Sequence, residues 1–356
     1  MSWDPFARGP YPVGVRSTTV VDAARDGRSL PVEVWYPAAR AHAGQDLRPD
    51  SRDAYELVPG YRVPQDAVRD VPAAPGRFPL VAFSHGYGGH RRQSTFLCTH
   101  LASHGYVVAA CDHAGNTMHD VMRLAMAHRR GAAAPDPRST LPALVAQRPA
   151  DVHLLVDRVL DGAVGDVAAH VDAERVGVAG HSFGGWTSLM VARTDRRVRA
   201  LLPLAPAGGE SPLPSAERRT ALDFAWGREV ATLFVVAERD SLLPLAGMHD
   251  LLRRTPSATK RMVVLENADH MHFCDRAAEV HELFRLMPPP GGFQKVARVT
   301  PPIAELAPPD HAELAVRALA VAHFDAALMD RPAARDFLRG DVATALAGRG
   351  IRAQVH

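Results

Sequence analysis

Five residues, Gly180-His181-Ser182-Phe183-Gly184, have the types and spacing that can make a serine hydroxyl chemically useful. An apolar run, Arg175-Val-Gly-Val-Ala179, precedes them, and small and apolar residues follow through Ala192. The pattern predicts a strand that turns sharply into a helix with Ser182 at the apex. Strand and helix nearly collide at such a turn, so the residues two before and two after the serine must be small. The helix N-terminus then meets the serine, where backbone N–H groups and the helix dipole favour developing negative charge. The chemistry this suits is nucleophilic attack on an acyl carbon through a covalent intermediate. The competing reading is a Gly-rich turn with an inert serine; a strand before the motif and a helix after it favour the nucleophile.

A serine needs a base, and the base needs an orienting acid. In chain order the acid should follow the serine and the histidine should come last. The segment Thr232-Leu-Phe-Val-Val-Ala237 reads as a strand, and Glu238-Arg-Asp240 lies just past its end. Asp240 is favoured as the acid because a Pro-containing turn follows it, with Glu238 as the runner-up. The histidine candidate is His270 in Glu266-Asn-Ala-Asp-His-Met-His-Phe273, with His272 as its competitor. Two histidines two residues apart could also suggest a metal site. No recognised ligand spacing accompanies them, so no metal is expected. The other histidines, among them His85, His100, His104 and His181, need no catalytic role.

An acyl-transfer site also needs two backbone N–H groups for the oxyanion. One would be that of Phe183, directly after the nucleophile. The other is expected from His85-Gly86-Tyr87-Gly88-Gly89, a Gly-rich turn that ends an earlier strand, with Tyr87 as the donor. Glycines there let the backbone approach a substrate closely.

The elements that must hold these residues alternate. Ser17–Asp22 and Leu30–Tyr36 read as an antiparallel pair around Asp26-Gly27. Residues 38–78 read as a long connection. Buried strands are expected at Pro79–Phe83, Tyr106–Cys111, Arg175–Ala179, Ala200–Leu204, Thr232–Ala237 and Met262–Leu265. Helices are expected between them: about Gln93 to Ser103, from Ala150 with Val152, Leu155, Val156, Val159 and Leu160 on one face, and from about His311 to Leu328 as an amphipathic helix. With the elbow, this alternation predicts an α/β-hydrolase fold. Its central sheet would be mostly parallel, with helices on both faces, in one domain over residues 1–356. Residues 114–148, 205–230 and 276–308 read as lid-like insertions that shape the pocket. Met118, Met122, Met126, Met271 and Phe273 could line an acyl pocket or belong to ordinary core.

Composition sets the remaining bounds. The chain has 356 residues, 47% of them hydrophobic and 22% charged, and 41 basic against 39 acidic residues leave a net charge of +2. That balance gives no electrostatic case for a nucleic-acid partner. Three cysteines, Cys98, Cys111 and Cys274, do not make a disulfide framework. There is no signal-like N-terminus and no apolar run of membrane-spanning length. The expectation is a cytoplasmic protein without a transmembrane segment.

As a set, several segments resemble a known group. Pro31-Val-Glu-Val-Trp-Tyr-Pro37, Phe78-Pro-Leu-Val-Ala-Phe-Ser-His-Gly86, Leu101-Ala-Ser-His-Gly-Tyr-Val-Val-Ala-Ala110, Asp112-His-Ala-Gly-Asn-Thr117 and Arg175–Gly185 are similar to the plasma-type platelet-activating-factor acetylhydrolases and bacterial dienelactone-hydrolase-like proteins. The likeness runs from about residue 12 to residue 275. It implies a Ser/Asp/His esterase with no metal or organic cofactor, a nucleophile at Ser182 and an oxyanion donor at Tyr87. It also favours His270, because His270-Met-His-Phe-Cys-Asp275 is similar to the group's H-x-x-F-x-D pattern. One departure stands out. The acetylhydrolases carry their acid after the strand that follows the elbow helix, where this chain has Leu202-Pro-Leu-Ala-Pro206. Asp240, one strand later, suits the dienelactone-hydrolase and cutinase-like branch, and Ser182 in place of a cysteine argues for esterase behaviour.

The expected reaction is therefore hydrolysis of a small ester through an acyl-enzyme, with His270 as base and Asp240 as orienting acid. An amidase or peptidase on the same triad is the nearest alternative. A hydrolase-fold protein that binds without catalysis is a further one.

Overall fold

The computed structural model describes residues 3–129, 137–209, 222–289 and 292–356. Among the described residues ten strands form one sheet: β1 (Val13–Asp22), β2 (Arg28–Pro37), β5 (Val68–Arg69), β6 (Phe78–Ser84), β7 (Val107–Cys111), β8 (Val171–His181), β9 (Val198–Leu204), β10 (Ala231–Ala237), β11 (Arg261–Leu265) and β12 (Ala353–Val355). Their spatial order is β12-β11-β10-β9-β8-β6-β7-β2-β1-β5. The central run from β11 to β7 is parallel throughout. The antiparallel β1–β2 pair joins it through β7, and β12 joins antiparallel to β11.

Parallel strands need cover on both faces, which is why they read as continuous apolar runs. Alternate residues of each strand feed two separate core layers. On β10, Phe234 and Val236 enter one layer while Leu233, Val235 and Ala237 enter the other. The first layer is closed by the helices α3 (Pro137–Leu160) and α4 (Phe183–Thr194), through Val152, Leu155, Val156, Trp186 and Leu189. The second is closed by α1 (Thr95–Ser103) and the long helix Pro309–Leu328.

The expected strands are present; most are lengthened by one to several residues, and Tyr106–Cys111 is shortened by one to Val107–Cys111. Three expectations change. Residues 38–78 are not a plain connection: they contain a hairpin, β3 (Ala54–Val58) with β4 (Tyr61–Pro64), and the edge strand β5. Tyr55 and Val63 are buried there, and Arg69 bridges Glu33 and Asp53, so side-chain pairing gives the segment its shape. The described parts of residues 114–148 are largely helical, because the helix Met118–Arg129 and the first half of α3 fall within them. The helix Pro309–Leu328 is also less one-sided than expected: Ala312, Ala315, Ala318, Ala320, Ala322, Phe324 and Asp325 are all buried. Its small residues let it lie close under the sheet, where the ring of Phe324 fills the space a side chain at Gly177 would need.

The core determines where the strand ends fall. β6, β8 and β10 lie in parallel with their C-terminal ends on one side, so the loops after Ser84, His181 and Ala237 converge there. Open α/β sheets place their ligand sites at this end.

Candidate active site

Ser182 stands between β8 and α4 with φ 58° and ψ −116°, a conformation that costs a non-glycine residue about 1–3 kcal/mol. The surrounding contacts over-determine it. Its N–H donates to the Leu204 carbonyl at 2.9 Å, and its carbonyl accepts from Ala207 at 2.9 Å and Trp186 at 3.1 Å. The flanking glycines have no room for a side chain: a Cβ at Gly180 would lie 2.3 Å from the Gly184 carbonyl oxygen, and one at Gly184 only 1.8 Å from that of Ser84. The expectation that positions two before and two after the serine must be small has this physical cause.

Asp240 and His270 are brought together from separate loops. His270 Nδ1 donates to Asp240 Oδ2 at 2.7 Å, with both side chains buried. The second carboxylate oxygen of Asp240 accepts the N–H groups of Leu242 and Leu243 at 2.9 and 2.7 Å. Burial alone would pull the His270 imidazole down, but the Asp240 carboxylate outweighs it and holds the ring above its ordinary value of 6.5. The runner-up residues are occupied elsewhere. Glu238 is exposed and accepts from the Asn267 N–H at 2.8 Å. His272 Nε2 bonds the Ala307 carbonyl at 2.9 Å and its Nδ1 meets the Asp269 backbone. With both His272 nitrogens held in this way, the two histidines do not converge on one point. Among the described residues, no cluster of His, Cys, Asp and Glu is arranged to hold a metal ion. The three cysteines are free and buried.

The turn 85–89 lies against Ser182. The position a Cβ would take at Gly86 is 3.4 Å from the Cβ of Ser182. Gly88 needs φ 67° and packs beside Val121 of the helix Met118–Arg129. The ring of Tyr87 stacks on that of Phe293 with centroids 6.1 Å apart. Phe183 turns its side chain into the core against Trp186, 5.2 Å between centroids. Of the apolar residues that could have formed an acyl pocket, Phe273 is fully buried core, and Met122 and Met126 are exposed. The 440 Å³ cavity beyond the His270 loop, lined by Ala268, Leu306, His311 and Ile351 among others, includes none of Ser182, Asp240, His270 and Tyr87.

Three supporting groups went unread in the sequence. Asp269 accepts from the backbone of Ser241 and of His270 at 2.7 and 2.6 Å, which ties the Asp240 loop to the His270 loop. Arg148 is wholly buried, grips the Asn116 side chain and the His85 carbonyl, and lies 4.5 Å above the Phe183 ring. Burial pushes its guanidinium down to about 9, so it stays charged at neutral pH. Arg148 falls four and seven residues before Val152 and Leu155, on the apolar face of α3. That placement was the available signal, since a cation on such a face must be buried with partners. Beneath it lies a second Ser-His-Asp chain: Ser84 Oγ meets His113 Nε2 at 2.9 Å, and His113 Nδ1 meets Asp151 at 3.0 Å. All three residues are fully buried, so this chain is structural.

A mostly parallel sheet, covered on both faces and carrying a strained serine at a strand-to-helix turn, is the α/β-hydrolase fold. Within that class the chain belongs to the PET hydrolase-like family, whose sequence model matches residues 70–285. It is 28% identical over 193 residues to cutinase est1 of Thermobifida alba, covering 53% of this chain and 52% of that protein. It is 28% identical over 198 residues to the bis(hydroxyethyl) terephthalate hydrolase of Streptomyces coelicolor, covering 55% and 51%. A platelet-activating factor acetylhydrolase of Cavia porcellus is 27% identical over 157 residues, covering 36% of this chain and 35% of that one. The chain thus spans about half the length of the first curated relatives it matches, and about a third of the acetylhydrolase. The structure of a ferulic acid esterase from Streptomyces cinnamoneus superposes with a TM-score of 0.60 at 27% identity, covering 90% of this chain and 92% of that one. No described helix is long and apolar enough to cross a membrane.

Proposed function

We propose that this protein is a serine carboxylic-ester hydrolase that works through an acyl-enzyme on Ser182. The observation that carries the proposal is the buried Asp240–His270 pair, whose imidazole ring lies with its centroid 4.5 Å from that of His181 in the strained Ser182 elbow. His270 Nδ1 is committed to Asp240, so Nε2 is the nitrogen left to take the serine proton. Ser182 then attacks the ester carbonyl, and the N–H groups of Tyr87 and Phe183 hold the oxyanion. The protonated His270 passes its proton to the leaving alcohol. A water deprotonated by the same nitrogen releases the acid and restores the serine.

We read residues 1–356 as one hydrolase domain in which 114–148, 205–230 and 276–308 shape the pocket. Val121 beside Gly88 and Phe293 on Tyr87 support this for the first and third segments. For the second, residues 210–221 lie outside the described set, while Leu222 and Trp226 share a core layer with Trp186. The relatives' names support ester substrates, and two of them, for terephthalate and ferulic acid, denote esters of aromatic acids. The Tyr87–Phe293 stack is compatible with an aromatic acyl group. The test is hydrolysis of p-nitrophenyl esters from acetyl to long acyl chains, alongside bis(hydroxyethyl) terephthalate and methyl ferulate. Turnover of any of them supports the proposal. Turnover of none, together with cleavage of the matching anilides, would move the assignment to an amidase.

The pH profile offers an independent check. His270 acts as a base only when neutral, so kcat/KM must fall as pH drops through its pKa. Because Asp240 raises that pKa, the acid limb is expected above 6.5. In Asp240→Asn the downward pull of burial is opposed only by the smaller effect of the Asp269 charge, and the limb should move below its wild-type position while kcat falls. An acid limb that stays put in Asp240→Asn would remove Asp240 from this role.

A further inference from the structure

The mechanism above leaves unexplained how the turn carrying Tyr87 keeps its register against a base contributed by a loop far along the chain. Gln93 lies between them. It sits just before α1 and is buried, with its own carbonyl accepting the Asp275 N–H at 2.8 Å. Its side-chain oxygen accepts the Gly86 N–H at 2.8 Å. Its side-chain nitrogen meets His181 Nδ1 at 2.9 Å. The other nitrogen of His181 lies 3.1 Å from the carbonyl oxygen of His270.

Donor and acceptor chemistry permits one arrangement. The His270 carbonyl can only accept, so His181 carries its proton on Nε2. Its Nδ1 is then a bare acceptor and requires a donor, which the Gln93 amide supplies at 2.9 Å, with the weaker donor of the Cys274 thiol farther off at 3.7 Å. The amide oxygen is thereby turned to the Gly86 N–H. Turned the other way, the amide would set a donor against a donor at Gly86 and an acceptor against an acceptor at His181. His181 is buried and held well below its ordinary value, first by burial and then by the neighbouring His270, so the neutral ring persists.

The glycines of the turn fit the same account. A Cβ at Gly89 would come within 2.3 Å of the Gln93 amide oxygen. The close approach those glycines permit is therefore made to Gln93. The Gly86 carbonyl is fixed as well, by Gly89 N–H at 3.2 Å and His85 Nδ1 at 2.7 Å. Across a planar trans peptide the next N–H points opposite to that carbonyl. Fixing Gly86 at both ends therefore fixes the direction of the Tyr87 N–H.

We infer that Gln93 is a positioning residue that ties the Tyr87 turn to the His270 loop through His181. The inference rests on the assignment of Ser182, Tyr87 and His270 given above. Its chain of three hydrogen bonds runs from the oxyanion turn, through the residue preceding the nucleophile, to the backbone of the base. No other neutral side chain of this length presents an acceptor and a donor side by side.

The experiment uses the full chain as wild type, Gln93→Leu, Gln93→Glu and Ser182→Ala. The first readout is the second-order rate at which a fluorophosphonate probe labels Ser182, because its phosphoryl oxygen tests the oxyanion site whatever the natural substrate. The second is kcat and KM on a p-nitrophenyl ester. Gln93→Leu should slow labelling and kcat by about 10- to 100-fold, the size of a misplaced oxyanion donor, with KM within about twofold. Gln93→Glu keeps the acceptor for Gly86 and loses the donor for His181, so it should fall between wild type and Gln93→Leu. It also keeps the shape of glutamine, which serves if the leucine variant does not fold. Labelling of either variant at the wild-type rate overturns the inference. So does a loss in which KM rises in step with the fall in labelling, which would mark general damage to the pocket. A wild type that is not labelled at Ser182 overturns the nucleophile assignment itself, and that outcome is read from the wild type and Ser182→Ala alone.

Discussion

Ser182→Ala is expected to lower kcat by roughly 10⁴- to 10⁶-fold, the range that removal of an activated serine produces when the rest of a triad remains. KM should change little, because the hydroxyl contributes to the transition state far more than to ground-state binding. Fluorophosphonate labelling should vanish with it. The backbone adds a second, separable effect. Alanine inherits the strain of φ 58°, whereas glycine is at ease there. Ser182→Gly should therefore be as inactive as Ser182→Ala yet unfold at a higher temperature, by the equivalent of about 1–2 kcal/mol out of the strain a non-glycine residue stores. Activity and thermal unfolding of the two variants, measured side by side, separate the chemical role of the hydroxyl from the cost of its setting. An alanine variant that kept even a hundredth of the wild-type rate would dismiss Ser182 as the nucleophile.

Asp151→Asn is expected to cost about 3–5 kcal/mol of stability, the usual price of removing one member of a buried ionic cluster. Asp151 has no exposed surface. Its two oxygens accept Arg28 through two bonds of 2.8 Å, Arg25 at 2.7 Å and His113 at 3.0 Å. An amide of the same shape would leave these donors facing its own N–H group or a neutral oxygen, with Arg148 close by. Burial alone would raise the Asp151 pKa, but the hydrogen bonds from Arg28 and His113 outweigh burial and hold it well below the ordinary carboxylate range. A depressed pKa stabilises the fold above the unfolded value of about 3.9 and is lost as pH falls through the folded value. The stability gap between wild type and Asp151→Asn should therefore be constant above about pH 5 and close in strong acid. Urea unfolding across that range tests it. A gap under about 1 kcal/mol at neutral pH would show that the Asp151 charge does not stabilise the cluster in this way.

What could be read in advance divides along physical lines. The parallel strands were legible because burial on both faces leaves an unbroken apolar run, as in Leu233–Ala237. The elbow was legible because a local steric collision dictates Gly180 and Gly184. Asp240 is favoured over Glu238 by the Pro-containing turn that follows it, and His270 over His272 by the likeness of His270-Met-His-Phe-Cys-Asp275 to a family pattern. The structure pairs Asp240 with His270, and their catalytic role remains the proposal made above. Asp269 was not legible, since its partner Ser241 lies on another loop and nothing local marks the bond. Gln93 sits in an unremarkable polar stretch, and its meaning appears only when the turns after β6 and β8 are packed together. The β3–β4 hairpin was hidden because Arg69, Glu33 and Asp53, distant in sequence, shape it in place of an apolar pattern.

The two ends of the sheet have a consequence for how copies of this chain avoid one another. β11 is almost wholly apolar, and an open strand of that kind is a template on which other chains can align. Here β12 covers it with a register of only three residues, and His356 closes the ladder by exchanging both backbone bonds with Met262, at 2.8 and 2.9 Å. At the opposite end β5 contributes two residues to β1, with Arg69 held in ion pairs at the rim. At each border the described pairing is brief, two residues for β5 and three for β12. Loss of the β12 pairing would uncover Met262-Val-Val-Leu265, and the danger it would create is colloidal: self-association through the bared border.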